Sequence, residues 1–211
     1  GAFAEYLTVP FKNLRPLPDS ITDEEAVFIE PLAAAFEILE QVKVNEYTRA
    51  AVLGDGRLGQ LVAQALATTD CSLLAIGRHE EKLALLKARG IPTRSSREGL
   101  DKQFDLVVDC TGSPGGLADA LELVRPTGTV ILKTTVAGRN GADLNRLVID
   151  EVTLLGSRCG PFAPAMQALE ERKVDVKPLI SKVFPIEQGV EAFAYAARKG
   201  VLKVLIRMQD G

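Results

Sequence analysis

Hydrophobic positions between about residues 49 and 155 alternate between two patterns. Short runs of consecutive apolar residues, such as Ala50–Leu53, alternate with stretches in which apolar residues recur every three or four positions, as in Leu58–Ala67. Unbroken apolar runs favour strands that are buried on both faces, and the longer period favours amphipathic helices. This alternation predicts an α/β fold with a doubly wound, parallel, six-stranded sheet covered by helices on both faces.

The predicted elements of this region follow one another in a regular order. Strands are predicted at Ala50–Leu53, Leu73–Ile76, Ile91–Thr93, Phe104–Asp109, Thr129–Thr135 and Val152–Leu155. Helices are predicted at Leu58–Ala67, Glu80–Ala88 and Leu117–Val124. Helices that separate successive strands supply the crossover connections that parallel pairing needs.

The segment before this region has a different pattern. Ala2–Val9 alternates like a strand, and three prolines that follow it predict an extended connection. Thr22 and Glu25 have the spacing of a helix capping box. The helical stretch that begins there includes Pro31, which predicts a break or kink near Ile29–Glu30.

The segment after the alternating region predicts a further small group of elements. Helices are expected near Pro164–Lys173 and Gln188–Arg198, and a final strand at Lys203–Arg207. We therefore divide the chain into a first segment (1–44), the alternating domain (45–156) and a last segment (157–211).

Composition excludes several classes of protein. The 211 residues are 46% hydrophobic and 25% charged, as in ordinary folded domains, and the net charge of −3 gives no basic field for nucleic acid or an anionic membrane. No apolar run approaches the ~20 residues of a membrane span, and no signal peptide is visible, so we expect a cytoplasmic protein. The three cysteines have no disulfide or metal spacing, so we expect reduced thiols. Cys110 and Cys159 are expected to be buried or half-buried structural thiols.

A glycine motif supplies the first candidate site. Gly54, Gly56 and Gly59 form a G-x-G-x-x-G sequence, completed by Asp55, Arg57 and Leu58, directly after a predicted strand and before a predicted helix. Such glycines allow a tight turn, backbone approach to a pyrophosphate and close packing of helix on strand. The motif predicts a dinucleotide-binding Rossmann domain, and the alternative is a similar domain that has lost its ligand.

The end of the second predicted strand bears on the choice of dinucleotide. NAD sites place an acidic residue there, whereas this chain has Gly77, Arg78 and His79. A small residue leaves room for a 2′-phosphate, and Arg78, with Lys82 one turn later, can pair with it. NADP is therefore predicted, with NAD as the second choice. The alternative is that these cations form a solvated loop and first helical turn.

Together these motifs resemble the medium-chain dehydrogenase/reductase family, the zinc-dependent alcohol and polyol dehydrogenases, along nearly the whole chain. The residues that carry the resemblance are Gly1–Tyr6, Pro16–Asp19, Glu30–Ala33, Gly54–Gly59, Val108–Gly112, Gly128–Val130, Gly156–Arg158 and Leu202–Val204. The resemblance implies that a GroES-like catalytic domain, which supplies the zinc ligands, precedes the residues matching this chain, and that the flanking segments belong to it.

The resemblance also implies roles for individual residues. Glu30, in Glu-Pro-Leu, corresponds to a glutamate that binds the catalytic zinc in polyol dehydrogenases, so we expect it to be a ligand only together with the missing domain. The alternative is a carboxylate satisfied by backbone or solvent at a helix start. Thr111 and Gly112 are expected at the cofactor ribose, and Lys133 and Thr134 at the nicotinamide. Ser157 and Arg158 are expected at the carboxamide, and Lys203 at the pyrophosphate.

These observations predict the cofactor-binding part of an NADP(H)-dependent, zinc-dependent dehydrogenase. Its partner would be a small alcohol, polyol, sugar or carbonyl substrate, and we expect a homodimer. No complete catalytic site is expected, and the chain alone is expected to hold no zinc and to be inactive. The alternatives are a non-catalytic nucleotide-binding module and a zinc-independent quinone or enone reductase of the same superfamily.

Overall fold

A computed structural model describes residues 3, 4, 6–136 and 142–208. The helices are, in chain order, α1 Asp23–Ala26, α2 Ile29–Gln41, α3 Arg57–Ala67, α4 Glu80–Ala88, α5 Gly116–Leu123, α6 Asn145–Ile149, α7 Phe162–Glu170 and α8 Gly189–Ala196. The strands are β1 Arg49–Leu53, β2 Ser72–Ile76, β3 Thr93–Arg94, β4 Phe104–Asp109, β5 Val124–Leu132, β6 Thr153–Gly156, β7 Ile180–Pro185 and β8 Lys203–Arg207. Among the described residues, no helix combines the length and apolar character needed to cross a membrane.

The larger of two compact units spans residues 29–174 and contains a six-stranded sheet. Its strand order is β3-β2-β1-β4-β5-β6, and each neighbouring pair is parallel. The chain adds strands on one side of β1 and then returns to add β4 on its other side. This reversal confirms the predicted doubly wound Rossmann sheet.

The sheet forms because its central strands are apolar on both faces. Ala50–Leu53 of β1 and Leu106–Val108 of β4 are buried, and helices pack against both faces of the sheet. Every residue of α3 from Gly59 to Leu66 is buried, because α3 lies between the sheet and α2. One face of the sheet packs with α5 into a core that includes Phe104 and Leu121. Fully apolar strands and a nearly fully buried helix are what a two-sided α/β fold requires.

The smaller unit spans residues 1–28 and 175–211. It contains α1, α8 and the parallel pair β7 and β8, and short 3₁₀ turns occur at Phe11–Asn13 and Ile186–Gln188. The predicted capping box is present, since Thr22 Oγ1 accepts from the Glu25 amide and the Glu25 carboxylate accepts from the Thr22 amide. That reciprocal pair fixes the start of α1.

Several local predictions were wrong. Within the predicted strand Ala2–Val9, the described residues are not in a strand, and Ala2 and Glu5 lie outside the described residues. β5 ends at Leu132 rather than Thr135, and Ile91 precedes β3 instead of opening it. The predicted helix break is present, between Ala26 and Ile29, which leaves Pro31 in the first turn of α2, where a missing N–H costs little.

Candidate functional site

A cleft of about 450 Å³ lies at the carboxyl ends of β1, β2 and β4, within the larger unit. Its position is where the strand order reverses, between β1 and β4, which is the place where open parallel sheets bind ligands. The residues that line it are Leu53, Gly54, Asp55, Gly56, Ile76, Gly77, Arg78, His79, Lys82, Ser95, Ser96, Arg97, Cys110, Thr111, Ser113 and Asp119.

The turn between β1 and α3 forms the floor of the cleft. Gly54 has a φ of +107°, and a Cβ there would lie 2.6 Å from the carbonyl oxygen of Cys110. A Cβ at Gly59 would lie 2.0 Å from the carbonyl oxygen of Gly54. Gly56 caps α3 with an extended backbone and no side chain, so the first N–H groups of α3 have neither a helical nor a side-chain acceptor among the described residues. The turn therefore presents unpaired backbone donors at a helix N-terminus.

The end of β2 differs from the expectation that Gly77 leaves an open space. A Cβ at Gly77 would lie 2.4 Å from Oδ2 of Asp55, so the Asp55 carboxylate already fills that volume. Its Oδ2 accepts hydrogen bonds from the backbone N–H groups of Arg78 at 2.6 Å and His79 at 2.8 Å. The His79 ring lies with Nδ1 2.9 Å from Oδ1. Asp55 is only 6% exposed, and both of its carboxylate oxygens are engaged by Arg78 and His79.

Opposing effects set the pKa of Asp55. Burial raises the pKa of this carboxyl, but hydrogen bonds from the His79 ring and from the backbone N–H groups of His79 and Arg78 outweigh burial. The pKa therefore lies below its ordinary value, and Asp55 is ionised in the folded state at neutral pH.

Because the pKa of Asp55 is lowered by folding, its ionisation stabilises the folded state above the ordinary carboxyl pKa of ~3.9. This stabilisation is lost as pH falls from that value through the folded-state pKa. Urea unfolding of wild type and Asp55→Asn should show a wild-type advantage at pH 7 that shrinks by pH 3. An advantage that stays constant over this range would contradict the assignment.

Two cations at the cleft are not matched by carboxylates. Arg78 is exposed and Lys82 half-buried, and neither side chain has an ion-pair partner in the part of the chain that the structure describes. The Gln60 side chain, which is completely buried, donates to the Lys82 carbonyl at 2.8 Å and so joins α3 to the first turn of α4. By contrast, Arg97 pairs with both Asp119 and Glu122. The available positive charge is therefore at the end of β2.

Buried polar contacts connect the ends of β4 and β5. The carboxylate of Asp109 is 1% exposed and accepts from the amide and hydroxyl of Thr111, at 2.9 and 2.8 Å, and from the Thr134 hydroxyl at 3.1 Å. Thr134 Oγ1 in turn accepts from the Gly112 amide at 3.1 Å. Thr111 lines the cleft, whereas Gly112 and Thr134 do not line it and are connected to Thr111 through these hydrogen bonds.

The other residues proposed to bind the cofactor lie outside the cleft lining. Arg57, Leu58 and Gly59 form the first turn of α3, and Ser157 and Arg158 follow the end of β6. Ser157 Oγ is buried and has no hydrogen-bond partner among the described residues.

The predicted residues at the nicotinamide and pyrophosphate lie in different compact units. Lys133 Nζ donates to the carbonyl of Ala34 in α2, and burial lowers the pKa of Lys133. Lys203 belongs to the smaller unit, where its ammonium lies 5.3 Å from the ring centroid of Phe28. Their contacts with a cofactor stay predictions.

The prediction for the cysteines was right for one of the two residues it named as structural. Cys110 is half-buried, and burial together with the nearby Asp109 raises the pKa of its thiol. Cys159 was expected to be buried or half-buried but is exposed, because it lies in the loop between β6 and α7. Cys71, Cys110 and Cys159 are free thiols, as the sequence predicted.

Comparison with known proteins identifies the family. The model of the family described as "Zinc-binding dehydrogenase" matches residues 58–172, which is more than half of the chain. The chain belongs to the zinc-binding dehydrogenase family. This confirms the resemblance to the zinc-dependent alcohol and polyol dehydrogenases.

The relatives of this zinc-binding dehydrogenase chain include polyol enzymes. It is 25% identical to sorbitol dehydrogenase of Halalkalibacterium halodurans, over 100% of this chain and 66% of the relative. It is 29% identical to galactitol 1-phosphate 5-dehydrogenase of Escherichia coli K12, over 94% of this chain and 63% of the relative. The crystal structure of galactitol-1-phosphate dehydrogenase from Escherichia coli superposes with a TM-score of 0.88 at 26% identity, covering 98% of this chain and 67% of that chain. The chain thus spans 63–66% of the length of these curated relatives.

The family name implies a zinc ion, which needs several ligands from the protein. Among the described side chains, no three His, Cys, Asp or Glu residues lie close enough together to hold a metal ion. Glu30 lies in the first turn of α2 and is exposed. One carboxylate does not make a zinc site, which usually needs three or four protein ligands. The described residues therefore do not fit a zinc ion by themselves.

Asp55 and Gln60 are the important residues that sequence reasoning missed. In the sequence, Asp55 is only one of the variable positions of the glycine motif, and Gln60 is part of a predicted amphipathic helix. A charged side chain directly after a buried strand, next to a glycine turn, was the available signal that Asp55 needs partners within the protein. For Gln60 the only signal was a polar residue between buried positions.

Proposed function

We propose that this chain binds a nicotinamide dinucleotide in the cleft, with preference for NADP, as the cofactor-binding part of an alcohol, polyol or sugar dehydrogenase. The observation that carries the proposal is the placement of the glycine turn beside Arg78 and Lys82, in one cleft at the reversal point of the sheet, with neither cation ion-paired to any described residue. The family membership supports the general class of reaction.

The pyrophosphate would lie at the N-terminus of α3. Gly56 carries no side chain, and apart from its two chain neighbours no described residue has an atom within 4 Å of the position that a Cβ would take. A phosphate can therefore approach the free N–H groups of Arg57, Leu58 and Gly59, where the helix dipole also favours negative charge.

The adenosine ribose would lie at the end of β2. An NAD site offers a carboxylate to the ribose hydroxyls, but the Asp55 carboxylate is engaged by the backbone amides of Arg78 and His79 and by the His79 ring. The Arg78 guanidinium, in contrast, is exposed and suited to bidentate pairing with a 2′-phosphate. The preference for NADP thus depends on this cation, and not on open space at Gly77.

The remaining predicted residues are proposed to complete the site. The nicotinamide supplies the hydride acceptor or donor when bound, and the chain orients it, with Thr111, Gly112 and Thr134 at the ends of β4 and β5 and with Ser157 and Arg158 as further contacts. Glu30 is proposed as a ligand of a zinc ion whose other ligands are not among the described residues, so the chain alone is proposed to be inactive. The polyol relatives favour a polyol or sugar as substrate. A homodimer is proposed because β6 forms one edge of the sheet.

Separate calorimetric titrations of NADPH and NADH into the chain test the proposal. NADPH should bind more tightly than NADH. The substitution Arg78→Ala should weaken the binding of NADPH by about tenfold or more, because a charge-assisted bidentate contact is lost. Lys87→Ala is the matched control, since Lys87 is an exposed cation of α4 that pairs with Glu80 and does not line the cleft. Tighter binding of NADH, or an equal loss in the Lys87 variant, would contradict the NADP preference.

A further inference from the structure

Asp55 has a location that is unusual for an acidic residue in a proposed NADP site. Its backbone belongs to the glycine turn, and its carboxylate reaches the end of β2, more than twenty residues later in the sequence. By charge alone, a carboxylate at this place would disfavour the binding of a 2′-phosphate, since like charges repel. The structure shows what else this side chain does.

The carboxylate of Asp55 determines the path of the backbone at the end of β2. It accepts from two consecutive N–H groups, those of Arg78 and His79, and its other oxygen accepts from the His79 ring. His79 is the N-cap of α4 in an extended conformation, and its side chain makes no capping hydrogen bond, because the ring is turned to Asp55. These contacts fix the three-residue turn from which the Arg78 side chain projects.

The same carboxylate excludes an acid at position 77. Any Cβ at Gly77 would lie 2.4 Å from Oδ2 and 2.6 Å from Cβ of Asp55, closer than real Cβ contacts. Residue 77 is where an NAD-binding domain of this fold carries the carboxylate that accepts from the ribose hydroxyls. The Asp55 side chain and an acidic side chain at position 77 would therefore occupy the same space, so the folded chain can accommodate only one of them.

We propose that Asp55 is a specificity-determining positioning residue, which selects the 2′-phosphorylated cofactor by orienting the Gly77–His79 turn and by occupying the space of an acid at position 77. The inference rests on the proposed binding of NADP in this cleft. It assigns to a negatively charged residue a favourable effect on the binding of a phosphate, and that effect comes from geometry rather than from charge. The turn is held in the conformation that presents Arg78, at no cost to the ligand.

The test uses two small probes, 2′,5′-ADP and 5′-AMP, which differ at the 2′-phosphate and do not involve the nicotinamide. The measured quantity is the ratio of their dissociation constants. Partial unfolding weakens the binding of both probes equally and therefore leaves this ratio unchanged. In Asp55→Ala the turn loses its acceptor, and the preference for 2′,5′-ADP should fall by about tenfold. In Asp55→Asn the amide oxygen still accepts from both N–H groups, and the preference should stay within about threefold of wild type.

Asp105→Ala is the matched control. Asp105 also accepts from a backbone N–H, that of Arg49, and pairs with Arg125, but it does not line the cleft. Its removal should leave the ratio unchanged. If charge alone mattered, Asp55→Ala would raise the preference for 2′,5′-ADP, and an unchanged or higher ratio in that variant overturns the inference.

A double variant keeps the inference testable if Asp55→Ala does not fold. Asp55→Gly combined with Gly77→Asp moves the carboxylate from the turn to the end of β2 and removes the steric conflict. This variant should bind NADH more tightly than NADPH, and retention of the NADPH preference would refute the inference. If wild type binds 2′,5′-ADP no better than 5′-AMP, the proposed NADP preference fails first, whereas a wild-type preference that survives Asp55→Ala refutes only the role of Asp55.

Discussion

Alanine in place of Gly59 is expected to lower the free energy of unfolding by about 3 kcal/mol, as an overpacked site with no flexible neighbour would. The added Cβ would lie 2.0 Å from the carbonyl oxygen of Gly54, which is backbone and belongs to the turn between β1 and α3. α3 would have to move away from β1, although its residues from Gly59 to Leu66 are buried. Urea unfolding followed by circular dichroism measures the loss.

Gly115→Ala is the control for this substitution. Gly115 has a φ of −84°, and the nearest atom to an added Cβ is Ser113 Oγ at 3.9 Å. Alanine there should change the free energy of unfolding by less than about 0.5 kcal/mol, as is usual for substitutions that meet no packing conflict. Equal stability of the Gly59 and Gly115 variants would show that α3 does not pack on the turn as described.

Alanine in place of Gly56 should leave the fold intact and yet weaken the binding of NADPH by about a hundredfold, which is a loss of about 2.7 kcal/mol in binding free energy. Beyond its two chain neighbours, an added Cβ meets no atom of the described chain within 4 Å, and the backbone is extended, so the folded chain accepts a methyl group. That methyl group would stand at the N-terminus of α3, where the pyrophosphate is proposed to approach the backbone. Calorimetry with NADPH measures the affinity, and thermal unfolding measures the stability.

The two glycine variants thus separate two functions of one motif. Gly59 is required by the packing of the protein, whereas the proposed pyrophosphate site requires Gly56. Undiminished NADPH binding by Gly56→Ala would place the pyrophosphate elsewhere, whatever the stability of the variant.

The sheet could be predicted from the sequence because its signals are local. The apolar runs of β1, β2 and β4 and the periodic pattern of α3 and α4 need no information about distant residues, and their predicted positions match the structure to within one residue. β7 was missed because its sequence, Ile-Ser-Lys-Val-Phe-Pro, mixes polar residues with apolar ones. It becomes a strand by pairing with β8, about twenty residues later.

The candidate site was only partly predictable for a related reason. The glycine motif and the cations at the end of β2 are visible in the sequence, and the structure brings Gly54, Gly56, Gly77, Arg78, Lys82 and Thr111 into one cleft. The role of Asp55 was not visible, because it depends on a contact between the first turn and the end of the next strand. The same contact invalidates the argument that a glycine at position 77 means free space.

The exposure of Cys159 has a practical consequence for studying this chain. Tryptophan is absent, so intrinsic indole fluorescence cannot report on ligand binding. Cys110 and Cys71 are half-buried, and burial raises the pKa of both thiols, which suppresses the reactive thiolate. A maleimide fluorophore should therefore attach selectively to Cys159, which directly follows Arg158. Its emission would report conformational changes in the loop after β6 without any engineered substitution.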